Sequence, residues 1–143
     1  MKLKTITLRG YKSISSLENF ELNNLNVLIG ANGAGKSNFI GIFKLLAALA
    51  EGNLQTFVQK QGGPDALLYG GRKRTQKIDA EIYFEPGYQG VSNGYRISLV
   101  PTLDNRLVFS REETWISGHF TNKAINLGIA HDEAKLRDDQ QAV

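Results

Sequence analysis

The chain has 143 residues, of which 41% are hydrophobic and 22% are charged, a composition typical of one globular domain with a buried core. It contains no cysteine, which excludes a disulfide framework and a thiolate metal site and agrees with a reducing compartment. The longest wholly apolar run, residues 45–50, is too short to cross a bilayer, and the N-terminus lacks a signal-peptide core. We therefore expect a cytoplasmic protein without a membrane segment.

The formal net charge of +3 is unevenly distributed along the chain. Residues 1–76 hold ten Lys and Arg against four Asp and Glu, whereas residues 77–143 hold seven against ten. Because a positive region attracts polyanions, the basic run Arg72-Lys73-Arg74 is a candidate contact to a nucleic-acid backbone. A solvated surface loop is the simpler interpretation of so short a run.

The first half of the chain predicts a strand, a connection, a second strand and a helix. Residues 2–8 alternate polar and apolar side chains, which predicts a half-buried strand, and residues 11–25 predict a connection with extended pieces at 13–17 and 20–22. The apolar run 25–29 ends in glycine and predicts a buried strand of a parallel sheet. Residues 36–50 contain no proline and predict a helix, and residues 53–60 predict a further helical turn or two.

The second half changes to a period of two residues. Residues 78–84, 94–100 and 106–115 predict three strands of an antiparallel meander spanning about 77–115. Pro86-Gly87 together with residues 92–94 predict the first connection, and Asp104-Asn105 predict the second. Residues 125–131 predict a loop that leads into a charged, helix-prone tail at 131–141.

Residues 30–37 match the phosphate-binding pattern G-x-x-x-x-G-K-[ST], between the predicted strand and the predicted helix. Glycines at 30, 33 and 35 allow left-handed backbone that turns N–H groups toward a phosphate, and the positive end of the helix faces the same anion. Lys36 would reach the β- and γ-phosphates, and the Ser37 hydroxyl would coordinate Mg²⁺. The candidate nucleotide-binding residues are Gly30, Ala31, Asn32, Gly33, Ala34, Gly35, Lys36, Ser37 and Asn38.

This loop, with Asn32 before Gly33 and Asn38 after Ser37, resembles the ABC-type ATPase heads of the RecF, SMC and OLD families. Residues 8–13 also resemble the first strand of those heads. The resemblance implies an α/β P-loop NTPase fold: the N-terminal lobe of an ABC-ATPase-like head, with a strand-loop-helix core and an antiparallel β-meander. It implies ATP and Mg²⁺ as cofactors, and it places Lys12 and Ser13 near the nucleotide.

Such heads also carry a Walker B aspartate with a catalytic glutamate, a Q-loop and a signature motif, and none of these is evident here. The nearest imitation is residues 125–131 followed by Asp132 and Glu133, but three residues interrupt the apolar strand that a Walker B motif requires. We interpret it as a loop before a helix with an acidic first turn, and we assign no catalytic residue. His119 and His131 lack the paired spacing of a metal site and are interpreted as ordinary surface residues.

We expect residues 1–143 to form the N-terminal portion of one truncated ATP-binding head. The chain would bind ATP, while hydrolysis would need the complete parent protein as a head-to-head homodimer. The resemblance implies a role in DNA repair, chromosome maintenance or phage defence, with DNA as a possible partner. Two alternatives remain: a fragment of an ABC transporter ATPase subunit, and a non-catalytic assembly module that holds nucleotide for stability.

Overall fold

The computed structural model describes residues 2–87, 90–118 and 121–136. In chain order the elements are β1 (Leu3–Tyr11), β2 (Ile14–Glu21), α1 (Lys36–Glu51), α2 (Leu54–Lys60), α3 (Pro64–Leu67), β3 (Ile78–Phe84), β4 (Ser92–Pro101), β5 (Leu107–Gly118) and β6 (Thr121–Gly128). The six strands form one sheet in the order β2-β1-β3-β4-β5-β6, and every neighbouring pair is antiparallel. The described part of the chain is therefore a mixed α/β fold built on an antiparallel sheet.

The two faces of the sheet differ in polarity because successive side chains of a strand point to opposite sides. On the inner face, Leu8 lies opposite Ala80 and Ala80 opposite Ile97, and all three are buried. On the outer face, Glu81 lies opposite Arg96 and Arg96 opposite Glu113. Arg96 forms ion pairs with both carboxylates, so the outer face carries a charged row that faces solvent.

The helices cover the inner face of the sheet. Helix α1 buries Ile42, Leu45 and Leu49, which recur at the three- and four-residue spacing of one helix face. Burial of each such side chain contributes about 1.5–3 kcal/mol to folding. Helix α2 adds Leu54 and Val58 to the same core. The packing fixes α1 against the sheet and so fixes the position of the loop that precedes it.

Most predicted elements are confirmed. The predicted strand at 2–8 is β1, the extended pieces at 13–17 and 20–22 join into β2, and the two predicted helices are α1 and α2. The three strands of the meander are β3, β4 and β5, and the turn at Asp104-Asn105 is present, with Asn105 at a φ of 60°. Residues 92–94, in contrast, belong to β4 and form no part of a turn.

The predicted buried strand at 25–29 is wrong in this structure. The run has no strand conformation, and Leu25, Val27 and Ile29 are 82%, 71% and 92% exposed. A strand needs a neighbouring strand to pair with, and in the described ranges all six strands belong to the antiparallel sheet. The apolar run therefore lies on the surface.

The predictions after residue 121 are also corrected. Residues 125–128, predicted as loop, belong to β6, because they continue the antiparallel ladder of β5 through pairs such as Thr114 with Ile125. Residues 131–136 form bends and a turn instead of a helix, and the rest of the predicted tail lies outside the described residues. None of the described helices has the length and apolar character needed to span a bilayer.

Candidate nucleotide-binding site

The loop before α1 has the backbone conformation that its glycines allow. Gly33 has a φ of 84° and Gly35 a φ of 98°, both in the left-handed region. Gly30, which would also allow this conformation, does not lie in that region. Gly35 also packs closely, since a Cβ atom at this position would lie 3.1 Å from Ser13 Oγ. Two of the three glycines are thus required by backbone geometry.

Helix α1 starts at Lys36 with Gly35 as its N-cap, and no side chain caps it. The first backbone hydrogen bond of the helix is the one from Phe39 N–H to Gly35 O, 2.9 Å long. In the part of the chain that the structure describes, no backbone or side-chain acceptor faces the amides of Lys36, Ser37 and Asn38. The positive end of the helix is therefore open to an external anion.

These amides border a concave site of about 410 Å³. The residues that line it are Asn32, Gly33, Gly35, Lys36, Ser37 and Asn38. Six of the nine residues predicted from the motif are therefore brought together, and the Ser37 side chain is exposed to the site. Ala34 lines an adjacent apolar groove, to which Gly35 and Lys36 also contribute.

The remaining two predicted residues, Gly30 and Ala31, contribute carbonyl groups. The Lys36 ammonium bends back over the loop and donates a hydrogen bond to Gly30 O, and it lies 3.4 Å from Ala31 O. Because these acceptors are neutral and exposed, the ammonium can exchange them for a stronger, charged acceptor.

The turn between β1 and β2 supports the loop. Asn38 Nδ2 donates a hydrogen bond of 2.7 Å to Ser13 Oγ. Ser13 therefore lies beside the candidate loop. Lys12 points elsewhere: its ammonium donates a 2.9 Å hydrogen bond to Gln61 Oε1 beyond the end of α2.

Asp132 and Glu133, which sequence reasoning rejected as a Walker B pair, have structural partners. Glu133 accepts hydrogen bonds from the amides of Leu54, at 2.6 Å, and Gln55, at 3.1 Å, and so caps the N-terminus of α2. Asp132 forms an ion pair of 2.6 Å with Arg106. Both carboxylates hold the segment after β6 against the rest of the fold.

A buried carboxylate that the sequence did not reveal anchors the same segment. Glu112 is 0% exposed and accepts hydrogen bonds from the Tyr95 hydroxyl, at 2.7 Å, and from the amides of Lys135 and Leu136. His131 Nε2 lies 2.5 Å from it. Burial, and then the bond to Glu112, raise the pKa of Tyr95. The cluster is a polar site within the core in which the Glu112 carboxylate is fully bonded, whereas the buried Nδ1 of His131 has no hydrogen-bond partner in the described structure.

His131 therefore corrects a second expectation, since it is not an ordinary surface residue. Its side chain is 12% exposed, and its ring stacks on Phe109 with 4.6 Å between the ring centroids. His119, predicted to lie on the surface, is outside the described residues. Within residues 2–87, 90–118 and 121–136, no group of three or more His, Asp or Glu side chains could hold a metal ion.

Comparison with known structures defines the class of fold. One similar solved structure comes from work on the structural biochemistry of ATP-driven dimerization and DNA-stimulated activation of SMC ATPases. It aligns with a TM-score of 0.51 and 22% sequence identity, over 86% of this chain and 72% of that chain. The likeness shows the fold, which is that of a P-loop NTPase of the SMC head type.

The family follows from the sequence. A family model described as AAA ATPase domain matches residues 1–140, so the chain belongs to the AAA ATPase domain family. A comparison with curated proteins finds no match.

Proposed function

We propose that the loop from Gly30 to Asn38 binds ATP together with Mg²⁺. The observation that carries the proposal is the open start of α1, whose first three amides have no acceptor in the described structure and border a site of about 410 Å³. A polyphosphate supplies acceptor oxygens for these amides and negative charge for the helix end. Adenine as the base is inferred from membership in a family of ATPase domains.

Two side chains of the loop would bind the phosphates and the metal ion. Lys36 would exchange the carbonyl oxygens of Gly30 and Ala31 for the β- and γ-phosphates, which offer a stronger, charge-assisted bond. The Ser37 hydroxyl, exposed in the site, would be a ligand of Mg²⁺. Bound Mg²⁺ neutralises phosphate charge and keeps several waters, so one protein ligand together with phosphate oxygens suffices for it.

We further propose that the chain is the N-terminal portion of a larger ATP-binding head. The support is the exposed apolar run at 25–29, which has the composition of a buried strand and no strand partner among the described residues. A further polypeptide segment that pairs with this run would bury Leu25, Val27 and Ile29. Hydrolysis would then need that segment and a second head facing the first, as the ATP-driven dimerization described for the SMC neighbour suggests.

A role on DNA is part of the proposal. The SMC neighbour is described as activated by DNA, and the positive half of this chain contains the phosphate loop. DNA repair, chromosome maintenance or phage defence in the cytoplasm would each use a switch of this kind. Because Asp132 and Glu133 already have structural partners, we propose that this chain binds ATP without hydrolysing it alone.

A calorimetric titration of the chain with ATP and Mg²⁺ tests the proposal. We expect saturable binding that Lys36→Met weakens by about tenfold or more, because a hydrogen bond to a charged group contributes about 1.5–3 kcal/mol. Lys44→Met is the matched control, since Lys44 is an exposed lysine of the same helix. Equal affinity of the wild type and Lys36→Met, or no binding by the wild type, would overturn the proposal.

A further inference from the structure

The segment from Tyr69 to Lys77, here called the basic loop, lies between α3 and β3 and carries four of the 17 Lys and Arg residues of the chain. Lys73, Arg74 and Lys77 are exposed. Within the described ranges neither Lys73 nor Arg74 forms an ion pair, and Asp65, which is bonded to Arg72, interacts with Lys73 only through its charge. Lys77 forms one ion pair, of 3.1 Å with Asp79, and its side chain stays 56% exposed. The loop therefore presents three exposed positive charges, of which those of Lys73 and Lys77 are partly compensated by nearby carboxylates.

Internal bonds hold the basic loop in one shape. The Arg72 guanidinium binds Asp65 and donates bonds of 2.9 Å to Thr102 O and 2.7 Å to Asn105 Oδ1. These bonds tie Arg72 to the neighbouring turn, so its charge is compensated. The amides of Arg74 and Thr75 donate to Gly71 O at 3.1 and 3.0 Å. Of the basic run Arg72-Lys73-Arg74, the first residue therefore stabilises the loop, while the other two are exposed on its surface.

The surroundings of these cations are polar and concave. A groove of about 490 Å³ runs beside the loop and onto β1. Arg74 stacks on the Tyr69 ring at 4.7 Å, which orients its guanidinium. Ser15 and Gln76 also line the groove and supply neutral hydrogen-bond donors. The Thr75 hydroxyl already donates to Tyr69 O, and Asp79, which is paired with Lys77, is the acidic residue of the lining. Arg9, on the same groove, is neutralised by Glu18.

We propose that the basic loop and this groove bind the phosphate backbone of double-stranded DNA. Arg and Lys together with Ser and Gln donors, which this groove offers, are among the groups that contact phosphates in protein–DNA complexes. A preformed loop presents them without an ordering cost. An anionic membrane is a poorer fit, because the described loop carries no exposed Trp, Phe or Leu to enter the lipid interface.

The basic loop is also joined to the nucleotide site of the proposed function. Tyr69 N–H donates to Gly10 O at 2.9 Å, and Lys12 N–H donates to Leu67 O at 2.7 Å. Residue 13 follows, and Ser13 holds Asn38 at the start of α1. Only this coupling rests on the proposed function, while the DNA contact itself does not need nucleotide.

The test is the salt dependence of binding to a short fluorescent DNA duplex, measured by anisotropy without nucleotide. The double variant Lys73→Gln/Arg74→Gln removes two phosphate contacts. Its plot of log affinity against log salt should be shallower than the wild-type plot by about 1.8. The control Lys44→Gln/Lys60→Gln changes the net charge equally at exposed helix positions and should keep the wild-type slope.

A third variant separates charge from loop folding. Lys73→Arg/Arg74→Lys retains both charges, and we expect it to retain the wild-type slope. The proposal is overturned by an unchanged slope in the double glutamine variant, by an equal decrease in the helix control, or by tighter binding to phosphatidylserine vesicles than to the duplex. The affinity of the same variants for MgATP should equal that of the wild type. If the chain bound DNA through this loop but bound no ATP, only the proposed nucleotide binding would be refuted.

Discussion

Asn38 and Ser13 are 25 positions apart in the chain, and the side-chain amide of Asn38 donates a 2.7 Å hydrogen bond to the hydroxyl of Ser13. This bond joins the first turn of α1 to the turn between β1 and β2. A Cβ atom at Gly35 would lie 3.1 Å from the same hydroxyl oxygen, so Ser13 also leaves no room for a larger residue at position 35. The loop is therefore positioned by the sheet as well as by its own helix.

Ser13→Ala should weaken ATP binding several-fold while changing stability by less than about 1 kcal/mol. The physical reason is that the bond is exposed, so it adds little to folding, but it orients the start of α1. Titration calorimetry and urea unfolding measure the two effects. Ser16→Ala is the control, since Ser16 lies on β2 and bonds to Glu18. Equal ATP affinity in both variants would contradict the supporting role of Ser13.

Gly35→Ala and Gly30→Ala should differ although both change a motif glycine. Gly35 has a φ of 98°, and alanine there costs about 1–2 kcal/mol of stability. Gly30 has no positive φ, and an added Cβ would lie at an ordinary 3.4 Å from Ala34 Cβ. In urea unfolding, the free energy of unfolding of Gly30→Ala should lie within about 0.5 kcal/mol of the wild-type value. Similar losses in both variants would show that the loop backbone differs from this structure.

Glu133→Gln should lower the free energy of unfolding by about 1 kcal/mol, because it removes the negative charge that caps α2. ATP affinity should stay at the wild-type value. Asp132→Asn is the companion variant and should destabilise less, since Arg106 keeps its ion pair with Asp104. An unchanged stability of Glu133→Gln, combined with altered ATP turnover, would instead assign Glu133 a catalytic role.

Tyr11 gives the fold a predictable sensitivity to alkaline pH. The side chain is 0% exposed, and burial raises the pKa of Tyr11 to about 12 from an unfolded value of 10.0. Between these values the folded state keeps a proton that the unfolded state releases, so stability is constant below pH 10 and falls above it. Two pKa units correspond to a loss of about 2.7 kcal/mol.

Tyr11→Phe removes this sensitivity. The hydroxyl has no hydrogen-bond partner within the described structure, so the variant should be no less stable than the wild type at pH 7. Urea unfolding at pH 8, 10 and 11 measures the free energy of unfolding of both proteins. As the pH rises, the stability of the variant relative to the wild type should increase. A constant difference across this range would mean that Tyr11 is accessible to solvent.

The spacing of apolar residues within a segment was enough to predict the two longer helices and most of the strands. The spacing of Ile42, Leu45 and Leu49 identifies α1, and period-two alternation identifies β3, β4 and β5. The run 25–29 has an equally apolar composition, but a strand depends on a partner, and the composition of one segment cannot reveal whether a partner is present. Elements that depend on distant segments were therefore the ones predicted wrongly.

Glu112 shows the same limit at a single position. A register shift between Ser98 and Leu99, opposite β5, places both Phe109 and Glu112 on the inner face, although three positions separate them. With regular alternation of side chains between the two faces of the sheet, one of these residues would lie on the outer face. The carboxylate then binds the amides of Lys135 and Leu136, which folds residues 131–136 without a helix. At the candidate nucleotide site, by contrast, all six residues that line the cavity belong to the sequence motif.

The most direct test of the central claim is a titration of ¹⁵N-labelled chain with MgATP, followed by the backbone amide signals. We expect the largest saturable shifts at the amides of Gly33, Gly35, Lys36 and Ser37, which border the site. Lys36→Met should reduce these shifts at the same ATP concentration. Saturable shifts confined to residues outside 30–38, or no shifts at all, would contradict the claim that this loop binds the triphosphate.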